Sequence, residues 1–179
     1  PFKMQSRCDL MTRDTVSALR RAGCDEVWMG AESGSQRVLD AMDKDLRVEE
    51  IYAARLNLRR NGIRACFFLQ FGYPGEEWSD IEATVQMVRE LRPDDIGVSV
   101  SYPLPGTKFH QIVSGQIGAK ANWDHSADVS LLFRGAYSTE FYRALAEALH
   151  IEVRGGLGAR AAWRRVEELR QMQPAGAAA

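Results

Sequence analysis

A unit of strand, turn and helix repeats along this chain and limits the folds it can adopt. The clearest copy starts with the apolar residues 27–31, passes through a polar turn at 32–35, and continues into a helical pattern from about Gln36. The other three predicted strands are residues 2–7, 63–71 and 96–102. The predicted strand at residues 63–71 is almost continuously apolar, which is typical of a central parallel strand covered on both faces. Strands that alternate with helices predict βα units in a parallel sheet with right-handed crossovers.

Four such units are too few for an eight-stranded barrel. We therefore predict an α/β fold with parallel strands, a partial (β/α) barrel formed by the later strands of a six-stranded half-barrel. The predicted core spans residues 1–114, and residues 115–179 form a helical extension with a frayed tail. The chain begins inside a predicted strand without an initiator Met, so we expect the first strands of the barrel to be missing.

Composition excludes several classes of function. The 179 residues contain 23 basic and 24 acidic side chains, so no basic field is available for nucleic acid. No apolar run is long enough to span a membrane, and the given residues show no signal-peptide features. The odd number of cysteines (Cys8, Cys24 and Cys66) predicts reduced thiols in a cytoplasmic protein, and we interpret them as small buried side chains.

Polar residues collect where the predicted strands end. In parallel α/β sheets ligands bind at the carboxyl ends of the strands. Glu32 is the first candidate, because a carboxylate at the end of a buried strand is costly unless a ligand or partner uses it. The Gly-Ala-Glu-Ser-Gly motif is weak by itself, and capping by Ser33 or Ser35 is an equally good explanation of its serines. Further capping patterns at Thr12, at Ser79 to Glu82 and at Ser138 predict the starts of three helices.

Three motifs in a fixed order resemble a known family. They are residues 30–44 (Gly-Ala-Glu-Ser-Gly-Ser-Gln-Arg-Val-Leu-Asp-Ala-Met-Asp-Lys), residues 67–76 (Phe-Phe-Leu-Gln-Phe-Gly-Tyr-Pro-Gly-Glu) and residues 102–107 (Tyr-Pro-Leu-Pro-Gly-Thr). Together with Arg7 they resemble the later strands of radical S-adenosylmethionine enzymes. The resemblance covers about residues 2–110 and is strongest to the branch that often carries cobalamin and includes anaerobic magnesium-protoporphyrin ester cyclases.

The resemblance implies a set of ligand-binding positions. Glu32 matches a residue that contacts the ribose or methionine part of S-adenosylmethionine, and Lys44 matches a basic residue near the methionine carboxylate. Gly72 and Pro74 match one wall of the adenine pocket, with Tyr102 and Pro105 nearby. The cofactor-binding residues implied are Arg7, Glu32, Ser33, Lys44, Gly72, Pro74, Tyr102 and Pro105. Those implied for a small-molecule substrate are Gln5, Phe68 and Gln70, for which core packing is the alternative at Phe68.

Two family features are absent from the sequence. It has no Cys-x3-Cys-x2-Cys loop to hold a [4Fe-4S] cluster and no Gly-Gly-Glu turn, and Asp45-Leu46 replaces the Gly that commonly follows the Lys44 position. We therefore expect no metal ligands in this chain, a missing N-terminal half as partner, and no activity from the chain alone. The implied chemistry is reductive cleavage of S-adenosylmethionine to a 5′-deoxyadenosyl radical, followed by methyl transfer, cyclisation or a related reaction. The resemblance also implies cobalamin as a candidate second cofactor.

Other functional hypotheses stay open at this stage. The chain could be a non-catalytic binding or partner module derived from the same fold. An ordinary barrel-type lyase with Glu32 as base is a weaker alternative. Asp124 and His125 could form an acid and base pair, for which a solvated loop is the simpler explanation. The three histidines are scattered along the chain, which argues against a metal site built from them.

Overall fold

Four parallel strands form one sheet in the order in which they occur along the chain. The computed structural model describes residues 1–118 and 129–172, so the predicted Asp124 and His125 pair lies outside the described residues. The strands are β1 (Phe2–Ser6), β2 (Cys24–Glu32), β3 (Arg64–Phe71) and β4 (Asp95–Val100). Each neighbouring pair is parallel, which confirms the predicted α/β class.

Seven α-helices are described between and after the strands. They are α1 (Arg13–Arg21), α2 (Gln36–Ala41), α3 (Val48–Arg60), α4 (Trp78–Leu91), α5 (Lys108–Val113), α6 (Thr139–Val153) and α7 (Ala159–Gln171). The side chains of Thr12 and Ser138 cap α1 and α6 by accepting backbone N–H groups. These caps agree with the sequence pattern, whereas α5 was not predicted, because its six residues contain too few apolar positions to give a helical period.

The cap of α4 differs from the prediction. The N-cap is Glu77, which pairs reciprocally with Asp80 in a capping box, so the helix begins one residue before Ser79. Asp80 therefore serves as the third helical residue of that box rather than Glu82. The Ser79 to Glu82 pattern fits the sequence rule equally well, and the contacts of Asp80 with Ser35 and Arg37 favour the observed frame.

The two faces of the sheet differ in what covers them. Helices pack on one face, where α1 contacts β2, α3 contacts β3 and α6 contacts β4. The apolar side chains of that face are buried in the core, and they include Val27, Met29, Ala31, Phe67, Leu69, Phe71, Ile96 and Val100. We call the opposite side the open face. The prediction that β3 is covered on both faces is wrong in the described structure, since Phe68 on the open face is 37% exposed.

The last two helices join the same body. Phe141, Tyr142 and Leu145 of α6 lie in the hydrophobic core together with residues of β3 and β4. Arg89 of α4 makes two hydrogen bonds to the carboxylate of Glu152 on α6, at 2.7 and 3.0 Å. The indole N–H of Trp163 on α7 donates to the same carboxylate. The division at residue 114 stays a prediction. Among the described helices, none is both long and apolar enough to cross a membrane.

Candidate functional site

Glu32 ends β2 in an unusual backbone conformation. Its φ of 58° lies in the left-handed region, which costs a residue with a Cβ about 1 kcal/mol or more. The ladder between β2 and β3 shifts register between Gly30 and Glu32, so this end of the strand bulges. The bulge folds the glutamate side chain back over Gly30, where a Cβ would lie only 2.7 Å from Glu32 Oε1. Bulges of this kind re-aim side chains next to functional sites.

Lys44 meets this carboxylate. Its Nζ lies 3.1 Å from Glu32 Oε1, with side-chain exposures of 37% for the lysine and 16% for the glutamate. Asp43 and Asp45 on either side of Lys44 both have positive φ. Four non-glycine residues with positive φ are recorded in the described structure, and all but Arg92 belong to this corner. Local strain is therefore concentrated where an acid and a base are held together.

Arg7 supports the same loop. It binds the carboxylate of Asp9, with Nε 2.9 Å from Oδ1, and donates to the carbonyl oxygen of Asp45 at 3.1 Å. The structure thus brings Arg7, Glu32 and Lys44 to one corner, although the guanidinium of Arg7 is engaged by protein groups. Cys8 lies beneath this corner, where its thiol donates to the carbonyl of Gly30 at 3.6 Å.

Ser33 and its neighbours turn away from that corner towards α4. Ser33 is buried, and its Oγ shares a hydrogen bond of 3.1 Å with Thr84 Oγ1 while accepting the N–H of Ser35. Gly34 donates to Thr84 as well, and a Cβ on Gly34 would lie 2.4 Å from the carbonyl oxygen of Ala83. In the protein as described, the serines of this motif fasten the turn to α4.

Asp80 completes this polar network beside the core. It accepts the hydroxyl of Ser35 at 2.6 Å and an ion pair from Arg37. Burial acts to raise the pKa of Asp80, and the hydrogen bonds from Ser35, Glu77 and Arg37 outweigh it, so that the pKa is lowered. Sequence analysis missed this network, because its partners are more than 40 residues apart and follow no local pattern.

The ends of β3 and β4 lie side by side. The Gln70 amide donates to Ser101 Oγ at 3.0 Å, and the Ser101 N–H donates to the carbonyl of Phe71 at 2.8 Å. Tyr73 stacks on Phe109 of α5 with ring centroids 5.1 Å apart. These contacts join the turn of Gly72 and Pro74 to the segment of Tyr102 and Pro105. Both prolines are exposed and Tyr102 is half-buried.

Glu76 is buried beside the turn after β3 and binds its backbone. Its Oε2 accepts the N–H of Gly72 at 2.7 Å, while no hydrogen-bond partner is found for Oε1 among the described residues. Burial raises the pKa of Glu76 to about 8, with Asp80 adding to the effect. A Cβ on Gly72 would lie 3.3 Å from the ring of Tyr142, so this turn packs tightly on α6. The motif suggested a turn, but no sequence signal indicated a buried carboxyl group in it.

The open face carries an aromatic pair that sequence analysis found only in part. Phe68 was a predicted substrate residue, and Trp28 was not singled out. Their ring centroids lie 4.9 Å apart with an interplanar angle of 31°. Gln5, also predicted, pairs with Trp28 in the ladder and is exposed. Strand alternation places Trp28 on the same face as Phe68, and the pairing register that joins them could not be read from one sequence.

The described residues do not fit an iron–sulfur cluster. All three cysteines are buried and free, and they are distributed over different elements. Burial raises the pKa of Cys8 to about 12 and that of Cys66 to about 11, which keeps both as thiols instead of the thiolates that iron requires. No group of three or more metal-binding side chains occurs in the described part of the chain.

A separate cleft of about 420 Å³ lies on the outside of the molecule between α4 and α7. Trp78 and Trp163 line it, and Arg170 and Arg89 lie over their respective rings at 4.7 and 5.0 Å. Its aromatic and charged side chains attach the last helix to α4. We therefore place the candidate site at the strand ends and the open face.

Comparisons with known proteins bear on the family of this chain. The family model described as Radical SAM superfamily matches residues 1–88. An uncharacterized methyltransferase of Pyrococcus horikoshii is 24% identical in an alignment of 153 residues that covers 77% of this chain and 33% of that protein. The chain therefore spans about a third of the length of this relative.

Solved structures show the same fold. Elp3 of Methanocaldococcus infernus superposes with a TM-score of 0.62 and 15% identity, covering 83% of this chain and 32% of that one. The radical S-adenosylmethionine methyltransferase TsrM of Kitasatospora setae, solved with cobalamin and a [4Fe-4S] cluster, gives 0.50 and 20%, covering 55% of this chain and 20% of that one. The parallel sheet is thus the partial barrel that the sequence predicted. Through its first 88 residues, the chain belongs to the Radical SAM superfamily.

Proposed function

We propose that this chain forms the cofactor-contacting later part of a radical S-adenosylmethionine enzyme. The observation that carries the proposal is the corner at the end of β2, where Glu32 is held in a left-handed conformation over Gly30 and paired with Lys44. A strained acid and base pair at the carboxyl edge of a parallel sheet is a typical feature of a binding site.

The chemistry of this pair suits the methionine part of the cofactor. That part carries an ammonium group and a carboxylate, which a glutamate and a lysine complement. Both side chains are partly exposed and 3.1 Å apart. The charged groups of a ligand can therefore replace the contact that the two side chains make with each other. The turn of Gly72 and Pro74 and the segment of Tyr102 and Pro105 lie across β3 and β4 and would form the adenine wall.

The cluster ligands would come from outside this sequence. Reductive cleavage of S-adenosylmethionine at a [4Fe-4S] cluster would supply the radical that starts the reaction. The residues described here would bind and orient the cofactor, and the sheet would shield the reacting groups from water. We propose a cytoplasmic small-molecule enzyme, and the names of the P. horikoshii relative and of TsrM support methyl transfer, with cobalamin as a further cofactor.

The test is cofactor cleavage by the gene product that contains this chain. After anaerobic cluster reconstitution and reduction, we expect 5′-deoxyadenosine to form from S-adenosylmethionine. We expect Glu32→Gln and Lys44→Gln each to weaken cofactor binding about 10- to 100-fold, because each removes a charge-assisted hydrogen bond. Glu168→Gln is the matched control, since it also breaks a glutamate ion pair, but on the exposed surface of α7.

Two results would contradict the proposal. One is a folded, cluster-loaded protein that forms no 5′-deoxyadenosine, which would favour a non-catalytic binding module. The other is equal cofactor affinity of Glu32→Gln and Glu168→Gln, which would show that the Glu32 corner is not part of the cofactor site.

A further inference from the structure

The open face is arranged in rows that cross the strands. One row holds Trp28 of β2 beside Cys66 of β3. The next row towards the carboxyl edge consists of Gly30, Phe68 and Gly97, so that a single side chain stands between two glycines. The two glycines of this row leave room for neighbouring side chains to lie over the sheet on either side of Phe68. We call the apolar surface formed by the rings of Trp28 and Phe68 the floor.

Neighbouring side chains lie closely over both glycines. A Cβ on Gly97 would lie 3.1 Å from a ring carbon of Phe68 and 3.7 Å from a ring carbon of Trp28. Two aromatic rings from different strands therefore extend over the same glycine. On the other side of Phe68, the space above Gly30 is used by the carboxylate of Glu32.

Trp28 is held so that only its ring surface is available. Its indole N–H donates to Glu26 Oε1 at 3.0 Å. Glu26 is itself buried and bound by Lys3 at 2.9 Å and by Arg64 at 2.5 Å. The hydrogen-bonding group of the indole is thus occupied, and its fixed apolar surface remains for contact.

We propose that the substrate of this site is a planar conjugated molecule that stacks on the floor formed by Trp28 and Phe68. This inference rests on the proposed function, because a molecule on this floor lies directly beside the Glu32 corner. The floor offers apolar ring surface, and the amides of Gln5, in the row of Trp28, and of Gln70, in the row beyond Phe68, lie near its edges to bind polar groups of the ligand. A flexible aliphatic substrate would gain little from two fixed rings.

The experiment measures binding of lumichrome, a neutral planar three-ring probe, to the gene product that contains this chain. Quenching of lumichrome emission reports stacking. We expect saturable binding, and we expect Phe68→Leu and Trp28→Leu each to raise the dissociation constant about fivefold or more. Gly97→Val should abolish binding by displacing the rings of Phe68 and Trp28, which lie over Gly97.

Phe2→Leu is the matched control, because Phe2 is 40% exposed and Phe68 is 37% exposed, so both changes remove a similarly exposed ring. Phe68→Leu keeps an apolar side chain at a partly exposed position, and circular dichroism will verify that it folds. Lack of saturable binding, or equal binding by Phe68→Leu and Phe2→Leu, would overturn the inference.

A second measurement separates this inference from the proposed function. Binding of radiolabelled S-adenosylmethionine is measured on the same cluster-loaded preparations by equilibrium dialysis. Cofactor binding without stacking of the probe would overturn the substrate class and leave the proposed function intact. Stacking of the probe without cofactor binding would support the aromatic floor and contradict the proposed function.

Discussion

Glu76 is a carboxyl group that the fold keeps away from water. Burial raises its pKa to about 8 from an ordinary value of 4.5, although Gly72 and Arg37 act in the opposite direction. The native protein therefore holds a proton at neutral pH that the unfolded chain releases above about pH 4.5. Because the native state binds more protons, the free energy of unfolding falls as the pH rises through this window.

We predict that Glu76→Gln removes this pH dependence. The free energy of unfolding of the unmodified protein should fall by roughly 3 to 5 kcal/mol between pH 5 and 8 relative to that of the variant. Urea titrations of both proteins across this range measure the difference. His150 has a lowered pKa and acts in the opposite sense, but it is present in both proteins and cancels. Parallel pH profiles for the two proteins would show that Glu76 ionises as an ordinary glutamate.

Single residues also show what the sequence could provide. Glu32 was identified as a candidate because a charge at the end of an apolar strand is conspicuous. Its left-handed backbone and its position over Gly30 depend on a bulge that no local pattern encodes. Trp28 was overlooked because a tryptophan in a strand normally indicates core packing, and its place beside Phe68 depends on strand register.

The turn between β2 and α2 illustrates how elements lock together. Gly34 lies against the backbone of α4, so closely that a Cβ would approach the carbonyl carbon of Ala83 to 2.7 Å. Ser33 and Thr84 share a buried hydrogen bond across the same contact. The turn therefore fixes the distance between β2 and α4.

We predict that Gly34→Ala destabilises the protein by about 2 to 3 kcal/mol, because the added methyl group meets backbone that cannot move aside without shifting α4. Gly115→Ala is the matched control, since no atom lies within 4 Å of a Cβ there, and it should change the stability by less than about 0.5 kcal/mol. Chemical denaturation of both variants measures the effect. Equal stability of the two would show that the turn is not packed on α4.

Element boundaries could largely be predicted from apolar periodicity and caps. The strands, and the starts of α1 and α6, lie within a few residues of the pattern. The start of α4 could not be predicted, because two capping patterns overlap between Glu77 and Glu82. Tertiary contacts of Asp80 favour one of them. Because β3 is apolar at almost every position, its sequence also did not show which side chains alternate between the core and the open face, where Phe68 is exposed.

At the scale of the whole molecule, a clamp of three side chains ties the last helices to the core. Glu152 of α6 receives hydrogen bonds from Arg89 of α4 and from Trp163 of α7. Arg89 also lies over the ring of Trp163, 5.0 Å from its centroid. One carboxylate thus connects three helices.

We predict that Glu152→Ala loosens α7 more than any other described helix. Because the clamp is partly exposed, we expect a loss of only about 1 to 2 kcal/mol in global stability, with faster amide exchange concentrated in residues 159–171. Glu147→Ala on the same helix serves as the control, as it is exposed. Unchanged exchange in α7 would show that the clamp does not hold that helix.

The overall architecture follows from the repeating strand and helix pattern, since parallel strands with short connections leave few arrangements. The single covered face follows from the same pattern, because right-handed crossovers in the strand order β1-β2-β3-β4 place all the connecting helices on one side of the sheet. The position of α6 does not follow from it, because its packing against β4 and its place in the core depend on long-range contacts. The boundary predicted at residue 114 therefore marks a change of pattern along the sequence, while the hydrophobic core continues across it.

Amide hydrogen exchange with and without S-adenosylmethionine, on the cluster-loaded gene product, tests the central claim most directly. We predict slower exchange at residues 30–34, 43–46 and 70–74 when the cofactor is added, and no change at the cleft between α4 and α7. Gly30→Ala should weaken this protection, because its Cβ would displace the carboxylate of Glu32 from Lys44. Protection confined to other parts of the chain, or identical protection in the variant, would contradict the assignment of the cofactor to this corner.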